Sequence, residues 1–440
     1  MKRDGTARTT ECMRALIMWK ANFQTNIFVL LLTASLAARI ILTILMGLNG
    51  PMVSDEQQYF YPAYYLAAGK GLQKAPQGAP AASTPRPTAY RVPVPSIILA
   101  AVFTFFGKSI FVGRIACLVL GCFAAPLMFL FAKRIVSTHA SILAGICVAL
   151  WPTWLARAPI MGSEHFFIPF LLLSLLFTIN VTETPGKASQ VTIAGICWGV
   201  TALCRPHALP MVLMIAVFLV WRISWKRGLI LGGSAMMTIL PWLIRNQLVI
   251  GHPVLLALEG GETFLGSNNH YVVEDPDLYG VWLAPMLVPE YRRALQPFQD
   301  EFSRDREQYR LGVSYLKSNP EQIPKLAFYK LWRWLTPVTK TPGIARVAVI
   351  LSYGSLLLLL IGGILCGVIS SKSTPFPLIV ICSTVLLIVT VIYWGGLTLG
   401  RLPLEFLWLP WGTASFLWIK TRLFQPEMKA RVVSKELRAK

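Results

Sequence analysis

Hydrophobic positions in this chain neither alternate nor keep to one helical face. They run almost unbroken for roughly 20 residues at a time, with the charged residues gathered in the short stretches between. This pattern predicts an all-α polytopic membrane protein. Ten runs read as transmembrane helices, at roughly 25–48, 112–132, 139–156, 165–181, 191–204, 207–221, 228–246, 344–369, 376–398 and 404–420. An eleventh apolar stretch, 93–107, has only 15 residues and carries prolines at its first and third positions, Pro93 and Pro95. That is short for a span of about 20 residues.

Composition agrees with the pattern. The chain of 440 residues is 55% hydrophobic and 14% charged, where a soluble domain carries about 25% charge. Mean hydropathy is +0.57. The net charge of +21 would suit nucleic acid, but Lys and Arg sit mainly in short loops and tails, which is the distribution of the positive-inside rule and argues against a nucleic-acid partner. Seven of the eight cysteines fall in apolar runs and no CxxC pair exists, so neither a disulfide framework nor a zinc site is expected. The basic N-terminus (Lys2, Arg3, Arg8, Arg14, Lys20) precedes a run, Thr25–Leu48, too long for a signal peptide and followed by no cleavage site; it reads as an uncleaved first span.

Charge also sets the topology. With the N-terminus inside and 93–107 not spanning, Lys133-Arg134, Arg222, Lys226, Arg227, Lys372 and the basic C-terminus all lie on the cytoplasmic side. If 93–107 spanned, all of them would lie outside. The stretch is therefore expected as a juxtamembrane or re-entrant helix. The chain divides into a cytoplasmic basic tail at 1–24, an N-terminal transmembrane core at 25–246 that includes the outer loop 49–112, an extracytoplasmic loop or cap at 247–344, C-terminal transmembrane helices at 345–420, and a second basic tail at 421–440. The cap carries 11 of the 20 acids and ten Lys or Arg, so it is nearly neutral. Its stretch Glu290–Tyr329 is expected to be helical and amphipathic. The Gly, Ala, Pro and Ser-rich segment Gly69–Pro87 reads as a linker.

The unusual polar residues fall at the outer ends of the spans: Asp55, Glu56, Arg91, Glu164, Arg205, Arg245, Asn246 and Arg401. Charges at bilayer depth cost about 2.5–3.5 kcal/mol on insertion scales, so such residues are paired or functional. The adjacent acids Asp55 and Glu56 offer a general base or a metal ligand; the alternative is a loop start capping the helix that follows. Glu164 is a second carboxylate, which with Asp55 could hold a divalent metal; the alternative is a helix N-terminal acid stabilised by the dipole. Arg91, stiffened by the nearby Pro93, suits bidentate phosphate binding. Arg205, Arg245 and Arg401 are further candidate phosphate anchors, or interfacial arginines beside Trp242 and Trp408. Gly260-Gly261 and Gly266-Ser267-Asn268-Asn269 could cradle a ligand with backbone N–H groups, or be ordinary turns. Arg39, in mid-span, needs a polar partner inside the bundle.

Taken in order, these pieces resemble the GT-C superfamily of integral membrane glycosyltransferases, and within it the family 39 group of protein mannosyltransferase-like and lipid A aminoarabinose transferase-like enzymes. Asp55-Glu56 with Tyr59, Ala67 and Gly69 is similar to the first-loop acidic motif. Arg91-Val92-Pro93, Phe106-Gly107 and Gly113-Arg114 follow in order, and Glu164 stands where the family has an acid in its second outer loop. Leu203-Cys204-Arg205-Pro206 and Pro241-Trp242-Leu243-Ile244-Arg245-Asn246, continued by Gly251, Pro253, Gly260, Gly261 and Asn268-Asn269, resemble two further signatures; Arg401-Leu402-Pro403 resembles a late element with one residue missing. Many relatives have a charged pair before the proline where this chain has Tyr90-Arg91-Val92.

The resemblance implies a GT-C-like fold and inverting transfer of a sugar from a polyprenyl-phosphate donor to an extracytoplasmic acceptor: a lipid, a protein or a cell-wall polysaccharide. It implies Asp55 as base, with Glu56 and Glu164 beside it, and Arg91, Arg245, Arg401 and Arg205 toward the donor phosphate. Tyr59, Tyr90, Asn246, Gly260, Gly261 and Asn269 would stand on the acceptor side or shape its loop. The resemblance fixes no cofactor and leaves open a divalent metal at Asp55 and Glu164. The expected location is the bacterial inner membrane, with both termini cytoplasmic. A transporter or flippase for polyprenyl lipid or small solutes is the rival class; it favours charged or broken helices at mid-membrane and repeated halves, and no internal repeat is visible here.

Overall fold

The computed structural model describes residues 4–47, 50–53, 55–74, 84–184, 187–337, 343–369, 373, 375–396 and 398–424. Residues 75–83 of the expected linker, Lys372 and the basic C-terminus from 425 lie outside them.

Long apolar runs become long helices, because a backbone in hydrocarbon must satisfy its own hydrogen bonds. Among the described residues, six helices are long and apolar enough to cross a membrane: Asn22–Met46, Ile110–Ala132, Glu164–Glu183, Trp225–Val249, Arg346–Leu365 and Pro375–Trp394. The other four expected spans are also helical. Thr138–Leu150, Ala188–Ala202 and Ala208–Arg222 have 13, 15 and 15 residues. Leu402–Phe424 has 23 residues but carries Glu405 near its start and Lys420 and Arg422 near its end. The expected span at 139–156 stops at Leu150 for a local reason. Trp151 precedes Pro152 and takes an extended ψ of 120°, and Pro152 opens a separate turn, Pro152–Leu155. Pro93–Phe106 is a 14-residue helix with Pro at its start, about 21 Å long against a hydrocarbon core of about 30 Å.

The bundle packs through small residues. Helices in lipid gain little from apolar burial and associate where their backbones can approach closely. Gly195 and Gly199, four apart on Ala188–Ala202, do this against Trp225–Val249: a Cβ at either would stand 2.5 Å from the Leu231 carbonyl oxygen or 2.7 Å from that of Ala235. Two buried polar contacts lock the neighbouring helix: Ser174 Oγ to Thr201 Oγ1 and Trp198 Nε1 to Thr178 Oγ1, both at 2.9 Å. The outward faces stay apolar, with Ile44, Val217 and Leu358 about 70% exposed (72%, 67% and 72%) where lipid would cover them. Arg39 finds its partners inside the bundle. It donates to His165 Nδ1 at 2.9 Å and lies 4.5 Å over Trp154, in space opened by Gly121.

The two ends of the bundle differ. At one, Arg134 pairs with Glu183 at 2.8 Å. At the other, Glu56–Ala67, Pro93–Phe106 and a two-residue antiparallel pairing (Gln73 with Pro87, Lys74 with Arg86) meet the 247–344 segment. Glu301 ties them, accepting from Thr88 Oγ1 at 2.7 Å and Ala89 N at 3.0 Å and pairing with Lys74 at 3.1 Å. Within 247–344 the expected helical stretch is Pro289–Leu295, Glu301–Ser318 and Gln322–Leu335. A small core of Val272, Val273 and Leu326 holds it together.

Candidate functional site

The adjacent acids diverge. Glu56, at the start of Glu56–Ala67, is fully buried. Its Oε1 accepts from Arg114 Nε and from the Met161 amide, both at 2.9 Å; its Oε2 accepts from Arg114 Nη2 at 2.7 Å and from the Val53 amide at 2.9 Å. Burial opposes its ionisation, but Arg114 and the two amides outweigh that and hold its carboxyl below the ordinary value. Arg114 also donates to the carbonyls of Gly50 and Pro51, fixing the loop start.

Asp55 occupies the helix N-cap position without a capping hydrogen bond. Its side chain is 54% exposed and meets Arg91 Nη2 at 3.3 Å. The rest of Arg91 is well held. Nε donates to Gln58 at 2.5 Å, Nη1 pairs with Glu259, and the guanidinium lies 5.5 Å over the rings of both Tyr59 and Tyr90. Burial disfavours the Arg91 charge, yet Glu259, the two tyrosines and Asp55 push its pKa well above the ordinary value. Burial raises the carboxyl of Glu259, against the pull of Arg91 and Arg205. Tyr90 donates to Glu262 at 2.7 Å, and Lys74 stands 3.4 Å over its ring. Beyond Tyr90 lies a cavity of about 230 Å³, bordered by Lys74, Glu262, Glu301, Phe302, Leu258 and Gln308.

A second cluster surrounds Glu164, the first residue of Glu164–Glu183. Its Oε1 meets Arg205 Nη2 at 2.6 Å, and its Oε2 faces Arg157 Nη2 at 3.6 Å. Arg205 Nε donates to Ser163 at 2.8 Å, and the guanidinium faces the rings of Phe167 and Trp394. The two clusters sense each other. Tyr59, which burial pushes up, feels Glu259, Asp55 and Glu164 together, and Glu259 feels Arg205.

The remaining candidates do other work. Arg245 donates to the carbonyls of Thr88 at 2.8 Å and Leu72 at 3.1 Å, so it braces the first loop's backbone. Asn246 donates to the Val254 carbonyl at 2.8 Å and closes the turn after its helix. Arg401 is fully buried. It meets Glu405 at 2.6 Å, donates to the carbonyls of Trp334 and Thr336, and lies 3.5 Å over Tyr353. Gly260 and Gly261 let Gly260–Ser267 press against Glu301–Ser318: a Cβ would collide with the Tyr309 hydroxyl or the Asp305 carbonyl. Asn269 donates to the Leu265 and Gly266 carbonyls and ends that helix. The structure thus draws Asp55, Tyr59, Tyr90 and Arg91 together, with Glu164 and Arg205 alongside. It engages Arg245, Arg401, Asn246 and Asn269 with backbone or buried partners. Sequence reading overlooked Glu259, Gln58, Arg157, His207 and the role of Arg114. Glu259 had one signal, an acid directly before Gly260-Gly261.

Asp55 and Glu164 fit a divalent metal poorly. Glu164 sits between two guanidiniums, which repel a cation, and among the described residues no three His, Cys, Asp or Glu stand close enough to hold one.

This fold has counterparts. The chain aligns with the archaeal oligosaccharyltransferase AglB from Archaeoglobus fulgidus, solved with an inhibitory peptide and a dolichol-phosphate: TM-score 0.53, 11% identity, 94% of this chain and 52% of that one. The structure of the Archaeoglobus fulgidus oligosaccharyltransferase tethered to an acceptor peptide containing the NVT sequon matches with TM-score 0.54 and 12% identity, over 92% of this chain and 50% of the other. Its complex with Zn and sulfate matches with TM-score 0.53 and 13% identity, over 94% and 51%. The chain spans about half the length of these structures. No curated protein sequence matches it. The chain is a polytopic membrane protein with the fold of the GT-C superfamily. The family model described as dolichyl-phosphate-mannose-protein mannosyltransferase matches residues 86–244, which include Arg91, Glu164 and Arg205.

Proposed function

We propose that this protein is a membrane glycosyltransferase that moves a hexosyl or pentosyl group from a polyprenyl-phosphate donor to an acceptor hydroxyl outside the membrane, with inversion and with Asp55 as the general base. One observation carries the reading. Of the acids gathered at this end of the bundle, Glu56 and Glu164 are buried and Glu259 is 16% exposed, each paired with an arginine, while Asp55 is half exposed and held by a single ion pair. A base must reach a substrate proton, and Asp55 is the carboxylate free to do so. It accepts the proton of the attacking hydroxyl as the bond to the anomeric carbon forms. The bond to the donor phosphate breaks on the opposite face through an oxocarbenium-like transition state, and arginines at the site stabilise the departing phosphate.

The family model over 86–244 and the fold support the transferase class. The cavity beyond Tyr90 supports approach of an acceptor (lipid, protein or polysaccharide) under the 247–344 segment, which acts as a cap. In this reading the site lies on the outer face of a bacterial inner membrane, and both termini are cytoplasmic. The test is transfer from a labelled polyprenyl-phosphate sugar by the purified protein. Transfer by the wild type and none by Asp55→Asn is expected; full transfer by Asp55→Asn removes the base assignment.

A further inference from the structure

Beside Arg205 and its partner Glu164, two side chains carry buried nitrogens without hydrogen-bond partners: both ring nitrogens of His207 and Nε of Arg157. Buried polar atoms are nearly always satisfied, so such a concentration calls for a ligand or a cost. His207 is only 5% exposed and stands at the N-cap of the 15-residue helix Ala208–Arg222, whose N-terminal end favours negative charge. Its ring packs edge-on against Phe167 and Trp394 at 4.7 and 4.5 Å. Arg205 faces the same two rings at 5.7 and 5.9 Å. Imidazole and guanidinium therefore share one aromatic wall, with Trp394 closing a membrane-spanning helix.

Charge separates this place from Arg91. Arg157 and Arg205 share the single acid Glu164, two positive charges against one negative, so the cluster is net +1. Arg91 faces both Asp55 and Glu259, one positive against two negative, so that cluster is net −1. A phosphate dianion brought to Arg91 would meet two carboxylates; at Arg157 and Arg205 it would meet unmatched positive charge and an imidazole with free nitrogens. We infer that Arg157, Arg205 and His207 form a phosphate-monoester subsite, and that this subsite, rather than Arg91, takes the phosphate of the lipid carrier. The inference rests on the donor class proposed above and gives a place to its leaving group, the polyprenyl phosphate monoester formed when the sugar–phosphate bond of the donor diester breaks. Arg91 is left to position Asp55.

The test is equilibrium binding to the full-length protein in nanodiscs, with undecaprenyl phosphate in one arm and inorganic phosphate in the other. His207→Phe keeps the packed ring and removes its two nitrogens, and Arg157→Gln removes one positive charge. Each should weaken undecaprenyl phosphate binding about tenfold with an unchanged melting temperature. Arg205→Gln is made together with Glu164→Gln, so that no buried carboxylate is stranded, and should also lose binding. Arg91→Gln should impair transfer yet bind within about twofold of wild type. Wild-type binding by the His207, Arg157 and Arg205 variants, with loss in Arg91→Gln, overturns the inference. Binding of inorganic phosphate alone, still dependent on His207, keeps the subsite and removes the lipid-carrier reading. Binding of neither probe by wild type overturns both.

Discussion

Arg114 clasps Glu56 with two nitrogens, Nε at 2.9 Å from one carboxylate oxygen and Nη2 at 2.7 Å from the other. The Met161 amide completes the pair, so one buried carboxylate joins the first outer loop, the Ile110–Cys122 helix and the loop before Glu164. Breaking a buried pair by removing one partner costs about 3–5 kcal/mol. Glu56→Ala should therefore lower the melting temperature sharply, and the protein should lose activity because it loses structure. The sign with pH follows from the depressed carboxyl. The stabilisation is full above the ordinary value of 4.5 and is lost as pH falls through the lower folded value. Thermal melts between pH 3 and pH 7 check this; a Glu56→Ala melt equal to wild type would remove the structural role.

Asp55 should behave in the opposite way. Its side chain is 54% exposed, so Asp55→Asn should melt like the wild type. Loss of a general base costs about 10²–10⁴ in rate, and kcat for sugar transfer should fall within that range. Normal folding with lost turnover is the separating result.

Arg91 reaches Gln58, Asp55 and Glu259 with three different nitrogens while covering two tyrosine rings. A lysine keeps the charge but offers a single nitrogen on a flexible stem. Arg91→Lys should therefore lower kcat by roughly tenfold or more, as a loosened site does, with abundance in membranes unchanged. Equal kcat in the two proteins would show that charge alone suffices at this position.

Much of this was legible in the sequence because hydrocarbon imposes a simple rule. Runs such as 25–48 and 228–246 had to be helices, and polar residues such as Glu164 and Arg205 had to find partners, as they do in each other. What an arginine partners was not legible. Arg245 and Arg401 read as phosphate anchors, yet Arg245 meets the carbonyls of Leu72 and Thr88 and Arg401 meets Glu405 and two carbonyls. A guanidinium at a span end serves backbone or ligand according to how distant loops fold, and the local sequence carries no sign of that. Glu259 was hidden for the same reason: it belongs to no periodic segment, and only the approach of residues 258–262 to Ala89 brings it to Arg91.

Gly261 lies against the Asp305 backbone, and its amide donates to Asp305 Oδ1 at 2.6 Å. A methyl there must push the Glu301–Ser318 helix away. Overpacking of this kind costs about 1–3 kcal/mol, and that helix begins with Glu301, the residue tying the 247–344 segment to Lys74 and Thr88. Gly261→Ala should lower the melting temperature and speed limited proteolysis within 247–344. Unaltered cleavage would mean that the two helices separate without consequence.

Lys330 gives a pH test of how that segment is held. It is fully buried in the Gln322–Leu335 helix and donates to Asn268 Oδ1 and to the Val391 carbonyl, each at 2.8 Å. It thereby joins the segment to the end of a membrane-spanning helix. Burial pushes its amine down from 10.5 to about 7. Between those values the unfolded chain holds the proton more tightly than the folded one, so stability rises with pH across that window, by at most about 1.4 kcal/mol per pH unit. Below the folded value both states are protonated, and the burial penalty is constant. Lys330→Met removes the titrating group together with both hydrogen bonds. Wild type should melt higher as pH increases from 7 to 9 while Lys330→Met stays flatter, so the gap between them widens with pH. Parallel melting curves across that range would show that Lys330 is not buried as a titrating amine.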